Sequence, residues 1–366
     1  MIESAADWFQ EDMNMQTMTN QHEGTGWSAF SERGGRRDGR VGAQRSMGEG
    51  GVVERAMRWQ GAPVRLHHGT LAEARRYVPA FERRTFAITQ PGNDRSRLNE
   101  RLDTIVRRPF GEDASFVPVG VVSKDYTLVP HEAVINAAAG ALAMAGISAA
   151  EALADLRITE YGERMALSIR LPKEYEFDPG DGHPMAFRLE CWNSVDGSMR
   201  FRALTSWLRL VCSNGLVKRV AGSELRRRHI GTFSRDYVRE VLVSGLREAE
   251  NDKRSFVGWR GRRVTLEAVK PWVEREVWEA WGFKAATRAY HIARCGHDVE
   301  LLGPFKGQRP TTIPVRETRR VPGMWGECRN LFDLSQVLAW LAKERREVQE
   351  QLEWREQIPA LLEALN

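Results

Sequence analysis

The stretch from Met199 to Arg219, MRFRALTSWLRLVCSNGLVKR, sets four arginines and an indole among apolar residues. Side chains of a strand alternate between its two faces. Met199, Phe201 and Ala203 are apolar at odd positions, whereas Leu208, Leu210 and Cys212 are apolar at even ones. That change of phase predicts a β-bulge near Leu204 to Ser206, after which Arg200, Arg202, Trp207 and Arg209 share one exposed face. Guanidinium groups pair with phosphate oxygens and an aromatic face accepts any base, so the chemistry of such a face is nucleic-acid binding. The alternative is an amphipathic strand covered by a helix, with snorkelling arginines. Two further basic runs are assigned to the same ligand: Lys218, Arg219, Arg226, Arg227 and Arg228, then Lys253, Arg254, Arg260, Arg262 and Arg263. Solvated surface is the alternative for each run.

Two other groups could carry chemistry. Cys212 is a nucleophile only with a base beside it, and no sequence pattern supplies one; Asn214-Gly215 after it reads as a turn using positive φ. His291, Cys295 and His297 in HIARCGH have the spacing of metal ligands, but a fourth ligand is not evident, so no metal or cofactor is expected. The chain has no G-x-x-x-x-G-K-[ST], H-E-x-x-H or G-x-S-x-G motif, which argues against nucleotide hydrolysis and familiar hydrolase chemistry.

These residues need a scaffold, and 366 residues with 42% hydrophobic content can bury a core. The net charge of +5 is a weak argument for an anionic partner. Cys191, Cys212, Cys295 and Cys328 lie far apart, as reduced thiols do. No apolar run reaches the roughly 20 residues of a membrane span, and the N-terminus lacks the pattern of a secretory signal. A cytoplasmic protein without membrane contact is expected.

Residues 1–55, rich in Gly, Ser, Met and charge, have no apolar period and read as a disordered Gly/Arg-containing tail. Residues 56–230 read as an α+β core. Its strand or hairpin up to Val129 precedes an Ala-rich helix that starts at Pro130 and ends at Gly146. Leu156 to Thr159 with Met165 to Leu171 form one hairpin, and Met185 to Trp192 with Met199 to Cys212 a second across NSVDGS. Residues 231–366 read as mainly helical: Phe233 to Glu250, a helix with Trp272, Trp278 and Trp281 in the core, and one or two helices after Asn330. Leu338, Leu341, Val348 and Leu352 form a stripe that packs on the core or on a neighbouring subunit. The class is thus α+β, with a central antiparallel β-sheet, flanking helices and a helical C-terminal part.

SKDYTLVPHEAVINAA, NSVDGSMRF, LRLVCSNGLV and NLFDLSQVLAWLAKE, in that order over Phe116 to Glu344, resemble the bacterial phage/plasmid-like proteins of domain-of-unknown-function family 932. The resemblance implies a gene of mobile elements and transfers no catalytic residue. The order of strand, helix, antiparallel sheet and helices also resembles that of phage single-strand annealing proteins, an analogy of fold only. The functional expectation is a non-enzymatic protein that binds single-stranded DNA, with RNA still open, and anneals strands as a homo-oligomer. The rival readings are an interaction protein or inhibitor of host machinery, and an enzyme of unrecognised type centred on Cys212 or on His291 to His297.

Overall fold

The computed structural model describes residues 57–89, 96–211, 213–216 and 224–365. The expected tail over residues 1–55 lies outside them, as do Cys212, Lys218 and Arg219. The elements are, in chain order, β1 (Arg58–Trp59), β2 (Ala62–Thr70), α1 (Leu71–Ala74), β3 (Phe81–Thr89), β4 (Ser96–Arg107), β5 (Val117–Ser123), α2 (His131–Met144), β6 (Leu153–Thr159), β7 (Arg164–Arg170), β8 (Glu176–Phe177), β9 (Met185–Ser194), β10 (Phe201–Arg209), β11 (Asn214–Leu216) and β12 (Glu224–Arg227). There follow α3 (Asp236–Gly261), α4 (Leu266–Trp272), α5 (Trp278–Cys295), β13 (His297–Leu301), β14 (Val315–Arg320), α6 (Leu331–Lys343) and α7 (Val348–Glu363).

Nine strands make one antiparallel sheet, ordered β1-β2-β6-β7-β9-β10-β11, with β12 beside β10 and β8 beside β9. Both expected hairpins, β6-β7 and β9-β10, are present, and α2 begins after Pro130 at its N-cap. The α+β class and the helical C-terminal region are as expected from the sequence. The strand expected before Pro130 is β5, which joins the hairpin β3-β4 in one smaller sheet, and the ribbon β13-β14 forms another; β3, β4, β13 and β14 were not marked by the sequence pattern.

The central sheet is covered on both faces. Leu167, Leu189, Phe201, Ala203 and Trp207 join the main core with Val238, Leu242 and Phe256 of α3. On the opposite face Ala166, Trp192 and Leu204 pack with Trp59 of β1 and with Val348 and Leu352 of α7. Leu338, Leu341, Val348 and Leu352 are all buried within this chain, so the C-terminal stripe packs at home. Trp272 and Trp281 are core residues, but Trp278 is 40% exposed, contrary to expectation.

The expected bulge is not there. Strand β10 pairs with β9 residue for residue from Arg202↔Trp192 to Arg209↔Met185. A shift of apolar phase signalled burial on both faces instead: with helices above and below, neither face of the strand needs to be polar. The turn after it also differs. Positive φ falls on Ser213 (53°), while Gly215 lies in β11 opposite Leu208. A Cβ on Gly215 would lie 2.6 Å from guanidinium nitrogens of both Arg188 and Arg355, so close approach, not backbone handedness, is what calls for glycine there.

Close approach also seats α3 on the sheet. A Cβ on Gly245 would sit 2.4 Å from both Cγ2 and Oγ1 of Thr205 on β10. Alanine is favoured over glycine by about 1 kcal/mol in a helix interior, yet here it must push the helix off the strand. We expect Gly245→Ala to destabilise the protein by about 1 to 3 kcal/mol in urea unfolding, with part of the loss recovered in Gly245→Ala/Thr205→Ala. Unchanged or raised stability of the single variant would show that α3 and β10 are not so closely packed.

Candidate nucleic-acid interface

The four residues expected on one exposed face of β10 are split by the unbroken register. Arg202 and Trp207 point to opposite sides, and Arg202, Trp207 and Arg209 are buried. Trp207, 1% exposed, donates its indole N–H to Asp252 of α3 at 3.0 Å and meets the rings of Phe187 and Phe256 edge-on; it is a core residue, unable to stack on a base. Arg202 pairs with Glu224 and Glu356. Arg209 pairs with Asp181 and lies over the ring of Phe332. Each arginine entered the interior because a carboxylate distant in sequence met it there, which makes a buried charge tolerable. Only Arg200 of the four is exposed.

Beside them on the α7 side lies a buried ionic network. Glu190, fully buried, accepts bonds from Arg188 (2.7 Å) and from both terminal nitrogens of Arg355 (2.8 and 2.7 Å), and Ser206 donates to it as well. Burial alone would raise the Glu190 pKa, but the charges of Arg188 and Arg355 hold it well below the ordinary carboxylate range. Burial lowers Arg188 to about 10 against the pull of Glu190. Glu190, Arg188, Arg355 and Ser206 are all buried.

Most of the α3 residues are also occupied. Lys253 pairs with Glu250, Arg254 donates to Asn251, Arg260 lies 3.6 Å from Asp181, and Arg262 donates to the Leu365 carbonyl. Arg263 is exposed. On β12, Arg226 pairs with Glu224.

Arg227 and Arg228 are placed differently. Both are exposed and line a groove with Thr127, Val129, Phe201, His229, Phe233 and Tyr237. The strand pairing Phe201↔Arg227 brings Arg200, one residue before Phe201, alongside Arg228. Among the described residues no carboxylate pairs with Arg200, Arg227 or Arg228. Arg227 instead lies over the ring of Tyr237, 4.8 Å from its centroid. The edge position of β12 creates the groove: after Arg227 the strand ends, and the chain crosses Ile230 to Phe233 before entering α3.

His229 is the unexpected member. It is 6% exposed, stacks on Tyr126 (5.1 Å between centroids, 1° between planes), and lies against the Thr127 backbone, whose N–H donates to the His229 carbonyl at 2.7 Å. Burial lowers its pKa, so at neutral pH the ring is uncharged and the arginines carry the groove's charge. Tyr126 also packs against the small core of β3, β4 and β5, which carries exposed Arg84, Arg97, Arg101 and Arg108. Sequence reasoning missed these, although FERRTFAIT and SRLNERLDTIVRR do alternate in the manner of a ribbon. The groove holds about 50 Å³, against roughly 300 to 1,000 Å³ for a site that engulfs a small molecule. It suits a chain lying across it, with a phosphate at the arginines.

No helix among the described residues is long and apolar enough to cross a membrane. No curated protein and no solved structure matches the chain. A family model described as a domain of unknown function, DUF932, matches residues 118–318. That span is more than half of the 366 residues and contains the whole groove, and the chain belongs to this DUF932 family.

Proposed function

We propose that the protein binds nucleic acid, single strands in particular, across the groove at the end of β12, as a non-enzymatic component of a mobile element such as a phage or plasmid. The observation that carries this reading is the grouping of Arg200, Arg227 and Arg228 with no carboxylate partner among the described residues, beside Tyr237, Phe233 and the His229 ring. Guanidinium groups neutralise phosphates, and Tyr237 and Phe233 offer aromatic surface for bases. Arg97 and Arg101, exposed on β4, extend the positive surface. Annealing of two strands on a homo-oligomer follows from the same chemistry, since base pairing itself supplies the free energy and no cofactor is needed.

Fluorescence anisotropy with labelled single- and double-stranded DNA and RNA at two salt concentrations tests it. Arg227→Ala/Arg228→Ala is expected to weaken single-strand binding and to flatten the slope of log affinity against log salt by about 0.7 for each phosphate no longer neutralised. Tyr237→Ala is expected to cost about 1 to 3 kcal/mol with little salt dependence. Arg254→Ala, on the far part of α3, is the control and binds normally. Wild-type protein that binds no nucleic acid, or loses nothing in the double variant, overturns the proposal; capture of a single protein partner in a salt-insensitive manner favours the interaction-protein reading in its place.

A further inference from the structure

The second cluster lies across the molecule's smaller ribbon and is independent of the groove. Cys295 is the last residue of α5, Gly296 turns the chain in the left-handed region (φ 75°), and His297 opens β13. Strand β14 returns antiparallel and places Glu317 opposite Val299. As a result the Cys295 thiol, a His297 ring nitrogen and a Glu317 carboxylate oxygen all lie within 4.8 Å of one another. His297 Nδ1 is 3.8 Å from Glu317 Oε2 and 3.1 Å from the Cys295 carbonyl oxygen. Glu317 is the ligand that HIARCGH could not reveal, because it comes from another strand.

We infer that Cys295, His297 and Glu317 form a binding site for one Zn²⁺ ion, which ties the end of α5 to the β13-β14 ribbon. One thiolate, one imidazole and one carboxylate are the donor types zinc takes, at about 2.0 to 2.3 Å each, so ligand atoms already within 4.8 Å need only small side-chain movements to converge. The mixture is too soft for Mg²⁺ or Ca²⁺, which take oxygen ligands. A tetrahedral ion needs a fourth donor. His291 lies one helical turn before Cys295, on the same face of α5. It is 8% exposed, and its Nε2 has no hydrogen-bond partner among the described residues; Glu317 is near enough for its charge to act on this ring. His291 or a water therefore completes the coordination. Binding displaces the Cys295 thiol proton to solvent, since the thiolate is the ligand.

The test uses the full chain, stripped with a chelator and dialysed. Titration with Co²⁺ is expected to give a thiolate-to-cobalt charge-transfer band that saturates at one equivalent, and Zn²⁺ is expected to displace the cobalt and raise the melting temperature. Cys295→Ser abolishes the band, and Glu317→Gln, at an exposed position, weakens Zn²⁺ affinity by about 100-fold in competition with a chromogenic chelator. Cys328→Ser, whose buried thiol lies outside the cluster, keeps both. Circular dichroism of each variant separates lost ligation from lost fold. Absence of stoichiometric binding by the wild type, or equal affinity in a folded Glu317→Gln and the wild type, overturns the inference. Neither result bears on the groove, whose ligand is read by anisotropy.

Discussion

Glu190→Gln is expected to unfold at a much lower urea concentration than the wild type, with a loss of about 3 to 5 kcal/mol. The substitution is nearly isosteric, so packing is conserved and the change is one of charge. Glu190 neutralises Arg188 and Arg355, both buried. With a neutral amide in its place, two guanidinium groups remain in the interior without their counter-ion, and one amide nitrogen points donor to donor at Arg355. Against a total stability of about 5 to 15 kcal/mol, such a loss leaves little of the cooperative transition. Glu250→Gln, which releases an exposed pair with Lys253 on α3, is expected to shift stability by no more than about 0.5 kcal/mol. Equal midpoints for the two variants would mean that the Glu190 network is open to water.

The second large effect is one of acidity. His131, at the first turn of α2, is fully buried; its Nε2 donates to the Gly162 carbonyl at 2.7 Å, and its Nδ1 accepts from Asn193 Nδ2 at 2.9 Å. Asn193 also donates to the Val129 carbonyl, so its amide is held with nitrogen toward the ring. Burial pushes the His131 pKa down to about 4, against the opposing Gly162 hydrogen bond. A second proton would have to enter at Nδ1, facing a donor. The unfolded chain takes up that proton near pH 6.5, while the folded one resists until about pH 4. Stability from this group is therefore complete above about pH 6.5 and declines as the pH falls toward about 4, by about 2 kcal/mol at about pH 5 and about 3 in all. His67, His229 and His291 are lowered too, chiefly by burial, and add in the same direction. Urea unfolding at neutral pH and at about pH 5 checks this; equal stabilities would place the His131 ring in contact with solvent.

The hairpins β6-β7 and β9-β10, the helix after Pro130 and the two C-terminal helices were legible because each is local: alternation, turn residues and helical spacing lie within a few tens of residues. What decided the fate of the arginines was not local. Asp181, Asp252 and Glu356 each reach β10 from other parts of the chain, and nothing in FRALTSWLR distinguishes a guanidinium meant for phosphate from one meant for Glu356. The strand alternated in two phases because it is buried twice, once under α3 and once under α7. The candidate site was legible only in part. Arg226 to Arg228 stood out as a basic run, but His229 within RRRH had no reason to be singled out until Tyr126 stacked on it. In the same way Cys295 and His297 were visible as neighbours, whereas Glu317 required the return of β14.

The bond between Glu190 and Arg355 spans 165 residues, and the same covering segment meets the first described strand, where the Arg58 N–H donates to the Arg346 carbonyl. During synthesis the chain emerges N-terminus first, so β9 and β10 leave the ribosome long before the segment that neutralises and roofs their charged side. For that interval the nascent sheet exposes Arg188, Glu190 and Arg202 beside Trp192 and Leu204, a surface open to water and to other chains. The ions on it then act as a temporary guard: they keep a half-built sheet wet and discourage premature association, and only α7, made well over a hundred residues later, converts that guard into interior.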